Sequence, residues 1–119
     1  MTQRKDALKD RLSRYREINI MVTGRNSGRA ISIPVWFVFE DEKLYLLPGH
    51  GSDTQWYKNV LKNPAMRIDT RGAETELNAV PLTDRRQLSS IIGKFQAKYR
   101  AEGIRLYSKL DVAVVGEPC

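Results

Sequence analysis

The spacing of apolar positions changes several times along the chain, and each change marks an element. Over residues 2–16, Leu8, Leu12 and Tyr15 fall at i, i+4 and i+7, which predicts a helix with one narrow apolar stripe. Much of its remaining surface is basic, with Arg4, Lys5, Lys9, Arg11, Arg14 and Arg16. The period then drops to two: Ile18, Ile20 and Val22 alternate with Asn19, Met21 and Thr23, as in a half-buried strand. A glycine-bounded segment, Gly24 to Arg29, separates this strand from a second alternating run. That run is Ile31, Ile33, Val35, Phe37 and Phe39, with Trp36 and Val38 on its other face. Pro34 cannot donate to a ladder, so it marks an edge, a bulge or a non-bonded position. The polar turn Glu40 to Lys43 leads into a third strand, Leu44 to Leu47, which pairs strands two and three as a hairpin.

Pro48-Gly49-His50-Gly51 breaks the sheet pattern. Ser52 and Gln55 then have the spacing of a capping box that opens a helix. In that helix the pairs Trp56 with Val60 and Tyr57 with Leu61 are expected to face the core, and Asn63-Pro64 ends it. Met66 to Thr70 and Thr75 to Leu82 read as strands around Arg71-Gly72. Asp84 with Gln87 caps a further helix, whose apolar stripe is Leu88, Ile91, Ile92, Phe95 and Tyr99. Asp111 to Val115 reads as a last strand. No repeat, linker or low-complexity stretch interrupts the 119 residues, so a single domain over 1–119 is expected. Six short strands with helices outside them predict a small closed barrel.

Composition narrows the chemistry. The one cysteine is Cys119 and the one histidine is His50, too few for a disulfide, a thiolate cluster or a zinc site built by this chain. A single histidine also leaves no Ser-His-Asp arrangement to argue for, and the acids mark out no glycosidase pair. The formal net charge of +6 favours an anionic partner: nucleic acid, an acidic membrane surface or a phosphorylated small molecule. The aromatics alternate into buried positions rather than line one open face, so nucleic acid is not expected. No apolar run is long enough to cross a bilayer, and the polar N-terminus does not resemble a signal peptide. The expectation is a cytoplasmic protein, with the basic segment 1–16 allowing peripheral contact with an anionic membrane.

Two loops could carry chemistry. In Gly24-Arg25-Asn26-Ser27-Gly28-Arg29, main-chain N–H groups, Asn26, Ser27 and two guanidinium groups could hold phosphate oxygens; a solvated hairpin loop explains the same residues. The order is neither that of a P-loop nor that of a dinucleotide-binding turn. In Pro48 to Thr54 a glycine-containing turn feeds a helix N-terminus, which suits an anion or a ring edge, although Ser52 as a cap and Asp53 on the helix dipole account for themselves. His50 is either a surface residue or a proton donor. Trp36 and Trp56-Tyr57 are either core or a wall for a flat ring.

The ordered set of these motifs resembles the deazaflavin-dependent nitroreductase family of the flavin-binding split-barrel group, which also holds pyridoxamine-phosphate-oxidase-like proteins. The resemblance lies in the segment TGRNSGRAISIPVWFVFEDEKLYLLPGHGSDTQWYKNVLKNPAMRI, within residues 18–70. It implies a six-stranded antiparallel split β-barrel with an N-terminal helix and two or more outer helices. It also implies a cofactor, the deazaflavin coenzyme F420 or alternatively FMN. Carried across, Arg25, Asn26, Ser27, Gly28 and Arg29 would hold the phosphate or acidic tail, and the backbone of Pro34, Val35 and Trp36 would border the ring. His50, Gly51, Ser52 and Thr54 would contact the ring or the phosphodiester, and Trp56 and Tyr57 would brace that loop. The implied activity is hydride transfer from the reduced cofactor to a quinone, nitro compound or enone, with the proton coming from His50, Tyr57 or solvent. A carrier that binds without turnover and a homodimer are further readings.

Overall fold

The computed structural model describes residues 16–69, 74–104, 107 and 109–118. Among these residues the strands are β1 (Glu17–Thr23), β2 (Ala30–Trp36), β3 (Val38–Glu40), β4 (Lys43–Leu46), β5 (Ala65–Asp69), β6 (Glu74–Leu82) and β7 (Ala113–Pro118). The helices are α1 (Gln55–Lys62), preceded by a 3-10 turn at Gly51–Asp53, and α2 (Arg85–Ile104). The strands form one antiparallel sheet in the order β2-β1-β5-β6-β7-β4-β3.

Alternation along the strands divides the apolar residues between two cores. One set, including Ile20, Leu44, Leu46, Ile68, Leu77 and Val114, lines the concave face, and Trp56, Tyr57 and Val60 of α1 fill it from one side. The opposite set, with Val38, Leu47, Ala113 and Val115, packs under Leu88, Ile91, Phe95 and Tyr99 of α2. The α2 stripe is thus the one the spacing predicts. Its cap is too: the Gln87 N–H donates to Asp84 Oδ2 at 3.0 Å.

The sheet has seven strands where six were expected, because the expected second strand divides at Phe37. Its first part, β2, pairs with β1 at one edge of the sheet (Ile18↔Val35, Ile20↔Ile33, Val22↔Ile31). Its second part, β3, forms the hairpin with β4 at the other edge (Val38↔Tyr45, Phe39↔Leu44). One run of chain therefore supplies both edges of a curled half-barrel, where a closed barrel was expected. The reason lies in α2. The Phe37 N–H donates to the Tyr99 hydroxyl at 3.0 Å, and the Phe37 carbonyl accepts from Lys98 Nζ at 2.8 Å and lies 2.9 Å from the same hydroxyl. Both main-chain groups of Phe37 are satisfied by side chains, so the ladder has nothing left to pair there. The Phe37 ring itself is 1% exposed.

The corner is tightly packed. The Tyr99 ring stacks on Trp36 with centroids 4.5 Å apart and planes 8° from parallel, and the Tyr99 hydroxyl lies 2.6 Å from the Arg16 carbonyl. Lys98 Nζ sits 3.5 Å from the Phe37 ring centroid. Burial pushes the Tyr99 phenol up to about 12. Burial, helped by the nearby Arg16, lowers the Lys98 amine to about 8.

Other expectations shift. Pro34 lies on the edge strand β2, one of the three positions allowed for it. Helix α1 begins at Gln55 rather than at Ser52, whose hydroxyl is engaged elsewhere. Leu61, expected in the core, is 52% exposed, whereas Asn59 is 5% exposed; the inward face of α1 is Trp56, Tyr57, Asn59 and Val60. The last strand begins two residues later than expected, at Ala113. The N-terminal helix and the Arg71-Gly72 turn lie outside the described residues, save for Arg16, which is a bend before β1. No helix among the described residues is long and apolar enough to cross a membrane.

Replacing Tyr99 by Phe keeps the ring stack but strips the buried Phe37 N–H of its acceptor. The expected loss is about 1–3 kcal/mol in urea unfolding. An unchanged unfolding midpoint would contradict the role given to this corner.

Candidate functional site

The first loop, Gly24 to Arg29, is closed by its own backbone. The Gly24 N–H donates to the Arg29 carbonyl at 2.8 Å, and the Gly28 N–H to the Gly24 carbonyl at 2.9 Å. Gly28 takes φ +71°, which a side chain would strain. The Arg29 N–H donates to Ser27 Oγ at 3.2 Å. Arg25 fixes this loop to α1. Its guanidinium donates to Asn59 Oδ1 and to Gln55 Oε1, each at 2.7 Å, and its main-chain N–H also donates to Asn59 Oδ1 at 3.2 Å. Lys62 Nζ donates to the Arg25 carbonyl at 3.0 Å. The two arginines of the loop are therefore not equivalent. Arg25 is engaged by α1, while Arg29 is exposed and its guanidinium makes no hydrogen bond or ion pair among the described residues.

The second loop leaves β4 and enters α1. Gly51 at φ +55° makes the turn, and its N–H donates to the Pro48 carbonyl at 3.0 Å. The His50 N–H donates to Thr54 Oγ1 at 2.8 Å, so the hydroxyl of the buried Thr54 is taken up within the loop. Asp111 anchors the loop from outside it. Its carboxylate accepts the Ser52 N–H at 2.9 Å and the Ser52 hydroxyl at 2.6 Å. A Cβ at Gly51 would collide with that carboxylate. Lys109 Nζ lies 3.4 Å from Asp53 and 3.7 Å from Asp111, and His50 bridges to Lys109 through the main chain. Burial pushes the Asp111 carboxyl up, but the two Ser52 hydrogen bonds and Lys109 outweigh it and hold it below its ordinary value.

Arg25 brings the two loops together, since Gln55 is the residue after Thr54. Between the loops runs the edge of the sheet. Strand β2 begins at the first loop, and Trp36 at its end packs in the same outer core as Leu47, just before the second loop. Ile33 and Val35 of β2 and Phe39 of β3 belong to the concave face but are only partly buried. They form a partly buried apolar strip on the two edge strands of the sheet. Pro34 is exposed, and Trp36 is half-buried because Tyr99 covers one face and Tyr107 meets it edge-on at 6.2 Å. Trp56 and Tyr57, each 5% exposed, point into the core and brace α1 from within. Burial and the Asp111 charge push the Tyr57 phenol up.

Sequence reasoning missed Asn59 and Asp111. The only signals were a polar residue on the buried face of α1 and an acid within the apolar run from Leu110 to Val115.

The curled antiparallel half-barrel with outer helices is the pyridoxamine-phosphate-oxidase-like fold, and similar solved structures bear this out. A putative pyridoxamine 5'-phosphate oxidase from Listeria innocua matches with a TM-score of 0.73 at 12% identity, over 98% of this chain and 94% of its own. HutZ, the heme storage protein from Vibrio cholerae, has a TM-score of 0.73 at 15% identity, over 99% of this chain and 92% of its own. An F420-H2 dependent reductase, FDR-A, has a TM-score of 0.68 at 21% identity, over 86% of this chain and 94% of its own. Within this fold the chain belongs to the DUF2255 family, described as an uncharacterized protein conserved in bacteria, whose model matches residues 9–113. No protein of curated function matches by sequence.

Two changes test the anchoring of the second loop. Gly51→Ala and Asp111→Ala should each speed amide hydrogen exchange at Ser52 about tenfold or more, since a hydrogen bond to a charged group contributes about 1.5–3 kcal/mol. Amides of β1 and β5 should not change. Because the Asp111 carboxyl is held below 3.8, its contribution is present above that pH and lost as the pH falls through the lower folded value. Exchange at Ser52 unaffected by either substitution would remove Asp111 from this role.

Proposed function

We propose that the chain is a cytoplasmic split-barrel oxidoreductase, one unit over residues 1–119, that holds an anionic flavin-type cofactor between its two loops. Coenzyme F420 is the first choice and FMN the alternative. The observation that carries this reading is the partly buried apolar strip of Ile33 and Val35 on β2, an edge strand that pairs only with β1 among the described residues, with the exposed Arg29 in the loop at its start. A flat ring with a charged tail matches that sequence of apolar and polar surfaces.

The residues fit such a group with one adjustment. Arg29 and the side chains of Asn26 and Ser27 hold the phosphate or acidic tail, in a loop that the Gly28 N–H closes on the Gly24 carbonyl. Arg25 shapes the loop through Asn59 and Gln55 instead of clamping the tail. The backbone of Pro34, Val35 and Trp36 borders the ring. His50, Gly51, Ser52 and Thr54 bound its polar edge, in a turn pre-set by Asp111. Trp56 and Tyr57 support α1 behind it. When bound and reduced, such a cofactor supplies a hydride for a quinone, nitro compound or enone. The chain orients the ring and excludes water from one side. Exposed His50 is the better placed candidate proton donor, since Tyr57 is 5% exposed. The same β2 edge could admit a second copy of the chain, and the basic segment 1–16 could meet an anionic membrane.

The test is a fluorescence titration with oxidised F420 and, in parallel, FMN. Saturable binding is expected, with affinity about tenfold lower in Arg29→Ala, the cost of one charge-assisted contact of about 1.4 kcal/mol. Binding of neither cofactor, or an Arg29→Ala variant with full affinity, would overturn the site. Saturable binding without hydride transfer to a panel of quinones, nitro compounds and enones would replace the enzyme by a carrier.

A further inference from the structure

A second concavity lies away from both loops, on the convex side of the sheet. It is a groove of about 370 Å³ between the N-terminal half of α2 and strands β4, β6 and β7. Its floor is apolar. Tyr45, Val80 and Leu82 are half-buried there, above the fully packed Ile91 and Val115. The Tyr45 hydroxyl makes no hydrogen bond among the described residues. Helix α2 seals the outer core through Leu88, Ile91, Phe95 and Tyr99, and among the described residues the groove stays open beside its N-terminal half.

The polar groups around the groove are mostly donors. Arg86, Gln87 and Ser90 stand along the helix wall, and Lys43 stands across from them on β4. Lys94 closes one end, held by Glu40 at 2.7 Å. The one carboxylate in the lining is Glu117. The β4–β7 register Leu44↔Gly116, continued by one residue, sets Glu117 across from Lys43, on the side of the groove away from the helix. Arg86 remains: exposed, with no hydrogen bond or ion pair among the described residues, and beside two neutral donors. An apolar trough with an uncompensated guanidinium on its wall matches a molecule that carries an acidic head on an apolar body.

We propose that this groove is a second binding site, for a small amphipathic anion. A carboxylate, sulfonate or phosphate head meets Arg86, Gln87 and Ser90, and an aromatic or short acyl body lies on Tyr45, Val80 and Leu82. A polymer backbone is disfavoured by the dimensions, and the basic segment 1–16 by its charge, which matches that of the rim. The site does not depend on the two-loop reading, since no residue is shared with it.

The probes are 8-anilinonaphthalene-1-sulfonate and its uncharged analogue N-phenyl-1-naphthylamine, titrated by fluorescence into the full chain. The sulfonate should bind at one saturable site per chain. Arg86→Gln, a surface change that leaves the fold intact, should weaken it about tenfold and leave the neutral analogue unchanged. Ser90→Trp, which fills the groove, should abolish binding of both. F420 or FMN affinity should be the same in Arg86→Gln as in the native chain. If Arg86→Gln and Ser90→Trp both bind the sulfonate like the native protein, the groove is not its site and the proposal falls.

Discussion

The interaction on which the rest of the structure depends is the capture of Phe37 by α2. The Tyr99 hydroxyl and Lys98 Nζ take both main-chain groups of one residue in the middle of an otherwise continuous alternating strand. Had those groups been left to pair within a sheet, Ile31 to Phe39 would run on as one long edge. Instead the chain turns, and the two halves of that run become opposite edges of the same sheet. The half-barrel and the partly buried strip of Ile33, Val35 and Phe39 on its two edge strands both follow from that corner. So does the placement of the two loops, one at the start of β2 and one after β4.

A second constraint is the satisfaction of polar groups around the loops. Neither loop is held by its own side chains alone. Asn59 reaches the first from a buried position on α1, and Asp111 reaches the second from the segment before β7. This changes how the charge of +6 is understood. Arg25, Lys62, Lys94, Lys98 and Lys109 are each engaged with a carbonyl, an amide or a carboxylate. The guanidinium groups of Arg29 and Arg86 are not, among the described residues. Net charge points to an anionic partner, but the free cations decide where one can sit.

Much of the fold was legible in the periodicity. The β1 alternation, the β3–β4 hairpin, the α2 stripe and its Asp84 cap follow from spacing and capping chemistry local to each element. What was not legible depends on partners far away in the chain. The strand break needs Tyr99, 62 residues from Phe37, and nothing in the Ile31 to Phe39 pattern announces it. Ser52 has the right spacing for a helix cap, but its hydroxyl goes to Asp111, 59 residues on, and the helix starts later. Leu61 fits the period of α1 and is still exposed, because the short helix turns Asn59 inward to hold Arg25. In the candidate site the loops themselves were legible as glycine-bounded turns. The unequal roles of Arg25 and Arg29 were not, since both are arginines in the same loop and only the position of α1 separates them.

The central claim is that the two loops and the β2 edge between them form one binding surface. It is tested most directly by amide chemical-shift mapping of the isotope-labelled chain during titration with F420 or FMN. The account predicts perturbations at Ser27 to Arg29, at Val35 and Trp36 and at Gly51 to Thr54, all following one binding curve. Perturbations confined to one loop, or centred on Tyr45 and Ser90 across the sheet, would contradict it.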